Sequence, residues 1–143
     1  MHDDLFRPTI SEQPPPGKPP WRPESIVYPA FFGGPLAAAT LGLLNGRRLA
    51  LPTTHLVAIG AAGVAGFGAR IAVGALTDGN SALRLAGTVC GLLVWLVVLS
   101  LQRRPFRVAT LRGREPARLI GPGFAAAIGC GLFEALVLAV LVR

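Results

Sequence analysis

The sequence predicts an all-α protein, a four-helix transmembrane bundle preceded by a disordered Pro-rich N-terminal tail. Three observations predict it. Apolar residues gather into four blocks of about 19–24 residues, near the ~20 that a helix needs to cross ~30 Å of hydrocarbon. Within the blocks, polar residues do not recur at helical period, as they would on the wet face of a soluble bundle. Strand-like alternation is absent, which excludes a transmembrane barrel.

The net charge of +7 rests almost wholly on arginine. In a soluble chain such a balance suggests nucleic acid. Here the basic residues flank apolar blocks, which fits orientation in a bilayer and contact with anionic headgroups instead. The expected partners are therefore the lipid bilayer, and other membrane proteins or a second copy of this chain, with no nucleic acid. Cys90 and Cys130 both lie inside apolar blocks, without the spacing of a zinc or redox motif, and read as small packing residues. No HExxH and no Ser/His/Asp grouping is present, so neither an enzyme nor a metal or cofactor is expected.

Residues 1–24 are polar and hold seven of the thirteen prolines, including Pro14-Pro15-Pro16 and Pro19-Pro20. Proline fixes φ and removes donors, so the stretch is expected to be extended and solvated. No basic segment followed directly by a short apolar run marks a cleaved leader, and the first apolar block is read as a retained span. Trp21 and Tyr28 bracket its entry, where amphipathic rings favour the headgroup level.

Residues 25–143 form the expected membrane domain. The first span covers about 26–44, and Gly33-Gly34-Pro35 inside it predicts a kink, with a discontinuous helix as the sharper alternative. Gly34, Ala38 and Gly42 offer a small-residue packing face before Asn45-Gly46 ends the helix. The second span, about 55–77, carries the stripe Ala58, Ala62, Gly66, and the next position on that stripe is Arg70. Small-residue faces admit neighbouring helices, so Arg70 is expected to point into the bundle. Asp78-Gly79-Asn80 makes a turn into the third span, about 82–101. The connection 102–118 then carries Arg103, Arg104, Arg107, Arg112, Arg114 and Arg118, which are expected to touch anionic lipid. The last span covers about 119–142.

Glu134 lies inside that last span and breaks an otherwise uncharged run. A carboxylate at such depth must be protonated, paired or facing a cavity. Arg70 is fifteen residues in from His55, and Glu134 is fifteen in from Leu119, so both lie ~22 Å from the same end and can pair. Four crossings put both termini on one side. The basic connections 45–54 and 102–118 are then expected in the cytoplasm of a bacterial cell, with both termini outside.

The segment Phe31-Phe32-Gly33-Gly34-Pro35-Leu36-Ala37, followed by Asn45 and Arg47-Arg48-Leu49, resembles a family of small uncharacterised bacterial multi-pass membrane proteins. Those chains share a GGPLA segment in the first span and a basic loop before the last, as Arg112-Gly113-Arg114 stands here. The resemblance implies a bacterial integral membrane protein and no particular activity. The four-span size also matches small multidrug transporters, but their essential acid lies in the first span and this one has none. The expected role is a non-enzymatic accessory or structural membrane component. The alternative is a small transporter or channel using Glu134 and Arg70 in a polar intramembrane path.

Overall fold

Four helices build the chain in this computed structural model, which describes residues 17–142. They are α1 (Val27–Arg48), α2 (Thr53–Leu76), α3 (Asn80–Leu111) and α4 (Ile120–Leu141), and a 3-10 turn at Pro23–Ile26 leads into α1. Each is long and apolar enough to cross a membrane. The outer faces of α2, α3 and α4 carry exposed apolar side chains such as Val64, Leu93, Phe124 and Leu136. With lipid as solvent such faces carry no penalty, since the regular turns of a helix satisfy their own backbone. The protein is an all-α, four-helix membrane bundle. The expectations for residues 1–16 and for Arg143 lie outside the described residues.

α1 is the centre of this bundle. Its apolar window is 61% buried, against 11–22% for the other three helices, so α2, α3 and α4 form a sheath around it. α3 and α4 hardly touch each other; both pack on α1.

The path of α1 departs from the expected kink. Tyr28 Oη donates to the carbonyl of Leu119 at 2.9 Å, which puts the start of α1 beside the start of α4. Asn45, near the other end of α1, hydrogen-bonds to the backbone of Trp21 on both its N–H and its C=O side. A straight helix would hold residues 21 and 45 some 36 Å apart at ~1.5 Å per residue. The chain therefore reverses inside α1. The turning point is Gly34, whose φ of 79° and ψ of −167° are non-helical. An entering arm runs down to Gly34 and a returning arm runs from Pro35 back to Arg48.

The reversal corrects the expectation that the N-terminal segment and the basic connections occupy opposite ends. Residues 18–21 lie against Arg48, Arg114 and Ala117, at the end of the bundle that carries the arginines. It also revises the expectation of a solvated tail through residue 24. From residue 18 the extended chain is held to the bundle by its own carbonyls, which accept from Arg114, Arg48 and Ala117, and Trp21 is buried beneath Arg48. Proline's lack of a donor left those carbonyls free for partners elsewhere.

Two further differences have simple causes. Of the stripe Ala58, Ala62 and Gly66 on α2, Ala62 packs against buried Ala30, Ala38, Ala39 and Val94, and Gly66 meets Pro35. Ala58 is exposed, however, and the inward line runs through Ile59, Gly63, Gly66 and Arg70. Strict spacing by four drifts about 40° per step around a helix of 3.6 residues per turn, whereas alternating steps of four and three hold one face. Gly63 meets Ala39 and Gly66 meets Pro35, so the glycines bring the returning arm of α1 close to α2. On α1 itself, Gly34, Ala38 and Gly42 are all buried. The third helix also continues through the first ten residues of the expected 102–118 loop, with Pro105 inside it. At 32 residues it outruns the bilayer and projects Arg103, Arg104 and Arg107 beyond the apolar zone.

Candidate functional site

The reversal of α1 creates a problem that Glu134 answers. Gly34 occupies a region of φ/ψ space that is essentially reserved for glycine. Pro35 opens the returning arm, where its fixed φ suits the first helical turn and its missing N–H costs nothing. The next donor, the N–H of Leu36, has no carbonyl four residues back to bond. A helix start leaves such donors unsatisfied, and no water is at hand to take them in the bundle.

Glu134 takes this one. Its Oε1 accepts the Leu36 N–H at 3.0 Å, so a side chain of α4 caps the returning arm of α1. The other oxygen, Oε2, accepts from Nη1 of Arg70 on α2. The side chain of Glu134 is 0% exposed and that of Arg70 is 15% exposed. One carboxylate thus ties three helices together. The positive end of the returning arm and the guanidinium both bring positive charge to its oxygens.

Glycines make room for the pair. A Cβ on Gly87 of α3 would lie 2.6 Å from Arg70 Cζ, so the guanidinium rests where any side chain would collide. A Cβ on Gly34 would lie 2.8 Å from Glu134 Oε2. A Cβ on Gly91 would strike the backbone of Ala30 and Gly34, which have no freedom to yield. Nε of Arg70 is buried with no partner among the described residues. Below it a cavity of ≈ 560 Å³ opens at the far end of the bundle and is lined by Arg70, Thr77, Asp78, Asn80 and Arg84.

A second buried polar network lies at the opposite, arginine-rich end. Asn45 receives the Trp21 N–H at 2.7 Å and donates to the Trp21 carbonyl and to Gln102 Oε1. Gln102 in turn donates to the carbonyl of Gly42. Both amides are fully buried, and this clasp holds the entering and returning arms side by side against α3. Sequence reasoning read Asn45 as a helix terminator and left Gln102 in a loop. The signal available was two uncharged amides at the edges of apolar blocks, which must find partners when buried.

Other residues singled out from the sequence take lesser places. Cys90 and Cys130 are free thiols, and Cys130 Sγ lies 3.8 Å from the Thr40 hydroxyl on α1. Arg103, Arg104, Arg107, Arg112 and Arg118 are exposed, while Arg114 is half-buried and donates to the carbonyls of Arg48 and Lys18. Against known proteins, no family model, no curated protein and no solved structure matches this chain.

Proposed function

We propose that the chain is a non-enzymatic, multi-pass membrane component whose Arg70–Glu134 pair locks a re-entrant helical hairpin inside a sheath of three crossing helices. The observation that carries this reading is the full occupation of Glu134. Both of its oxygens are engaged, one by Arg70 and one by Leu36, with none of its side chain exposed. A carboxylate so employed is a fastener, and its neutral isostere should cost stability rather than a chemical step.

In this reading α1 enters and leaves at one face, and only α2, α3 and α4 cross. The arginine-rich end is cytoplasmic and the C-terminus of α4 lies on the other side. Among the described residues, ten Lys and Arg stand at or near the first end, and only Arg84 and the paired Arg70 lie toward the other. That asymmetry supports the orientation through the excess of basic residues on cytoplasmic segments. Partners are lipid and a second copy of the chain or another membrane protein. Exposed small residues on α2, including Ala61, Ala65, Gly68 and Ala72, support close approach of a neighbouring helix. Glu134→Gln tests the reading: the variant should assemble poorly in mild detergent.

One observation favours a second reading as a small transporter or channel. The cavity at the far end reaches Arg70, and the hairpin ends in an interrupted helix beside it. Interrupted helices near the bilayer midplane serve substrate and ion sites in transporters. In proteoliposomes this reading requires ion flux that Glu134→Gln abolishes without loss of fold.

A further inference from the structure

We propose that the arginine-rich end carries a binding site for the phosphate of a lipid headgroup, in the cavity between the α1–α2 connection and the last turns of α3. The cavity measures ≈ 670 Å³ and contains Lys18, Arg47, Arg104 and Arg112 around apolar Leu49 and Val108.

The walls are built. Arg114 donates to the carbonyls of Arg48 and Lys18 at 3.0 and 2.9 Å, and Arg48 donates to the carbonyl of Pro19 while lying over the Trp21 ring. These two guanidinium groups are spent on holding residues 18–21 against the bundle. Among the described residues, Lys18, Arg47, Arg104 and Arg112 make no side-chain hydrogen bond and no acidic side chain lines the cavity. Four cations gathered there repel one another, and an anion relieves that. Guanidinium groups match phosphate oxygens in a two-pronged geometry, and arginine is the residue suited to the task.

The apolar lining distinguishes a lipid from a free phosphate. Leu49 and Val108 face the same space as the cations, so the cavity offers an acyl chain or glycerol body a surface beside its charged rim. It also lies where α3 leaves the hydrocarbon, the level of headgroups in the proposed seating. The inference rests on that seating, which cysteine labelling tests separately.

The test uses the full chain in a neutral detergent, with thermal unfolding followed on addition of dioctanoyl phosphatidic acid, dioctanoyl phosphatidylcholine or inorganic phosphate. Phosphatidic acid should raise the unfolding temperature, and the other two at equal concentration should not. Arg47→Gln/Arg104→Gln/Arg112→Gln should weaken the effect at least about tenfold. Arg103→Gln/Arg107→Gln/Arg118→Gln removes equal charge outside the cavity and should retain it. Equal weakening by both triple variants means diffuse surface charge and overturns the site. So does stabilisation by inorganic phosphate alone, or none by phosphatidic acid. If the first triple variant does not fold, single Arg104→Gln and Arg112→Gln titrations decide on the same criterion.

Discussion

Glu134 Oε1 accepts the backbone N–H of Leu36 at 3.0 Å, across 98 residues of chain. A helix that starts inside the bundle thus receives its cap from another helix, and the capping carboxylate takes its counter-charge from a third. The pair and the reversal are one device. Without Glu134 the returning arm of α1 begins with an unsatisfied donor, and without the reversal Glu134 has only Arg70.

Glu134→Gln keeps an acceptor for Leu36 and leaves the largely buried Arg70 guanidinium without its carboxylate partner. Breaking one partner of a buried pair typically costs ~3–5 kcal/mol. The loss should appear as a lower unfolding temperature in detergent. Arg70→Gln should cost less, because the carboxyl can take up a proton and keep its bond to Leu36. The double variant should be more stable than the sum of the single losses requires, and a strictly additive result contradicts the coupling.

Gly34→Ala should be among the most damaging single-methyl substitutions in the chain. Its φ of 79° suits glycine, and the added Cβ would lie 2.8 Å from Glu134 Oε2. Strain in such a region costs ~1–3 kcal/mol before the clash is added. Stability of wild-type grade in chemical denaturation contradicts the reversal at Gly34.

Gly91→Ala and Gly60→Ala form a matched pair. On Gly91 the new Cβ meets the backbone of Ala30 and Gly34, whereas on Gly60 nothing lies within 4 Å. The first should prevent α3 from packing on the reversal and lower the yield of folded protein. The second should be neutral or gain up to ~1 kcal/mol from helix propensity. Equal behaviour in size-exclusion profiles of the two variants contradicts the packing.

Much of this was legible in the sequence and some was not. Block length and the lack of polar periodicity give the helices, because hydrocarbon imposes length directly. A depth count sets Arg70 and Glu134 at one level, and the two side chains meet. The reversal at Gly33-Gly34-Pro35 was not legible. Local residues permit a kink, a break or a full turn, and the choice lies with Asn45, Gln102 and Trp21, which are distant in sequence. The depth count for Arg70 and Glu134 did not depend on the path of the first helix, which is why it survives the correction. On α2 the stripe placed Ala62 and Gly66 in the packing and missed at Ala58, whose place Ile59 takes, since spacing by four is not the period of a helix.

Asn45→Ala should release the N-terminal segment. The substitution leaves the Trp21 N–H, the Trp21 carbonyl and Gln102 Oε1 without their partner. An unsatisfied buried group costs ~1–3 kcal/mol, enough to shift a short segment from bound to free. Limited chymotryptic cleavage after Trp21 should speed up while the remaining helices stay protected. Unchanged cleavage at that site contradicts the clasp.

The central claim is that α1 doubles back, and a distance across it tests this most directly. Spin labels go on Lys18→Cys and Arg47→Cys after Cys90 and Cys130 are replaced by Ser, and their separation is read by pulsed electron resonance. Both positions line one cavity, so the distribution should centre below about 25 Å. A first helix that crossed the bilayer would extend through the 26 residues from Pro23 to Arg48 and separate the labels by more than about 35 Å, which would contradict the account.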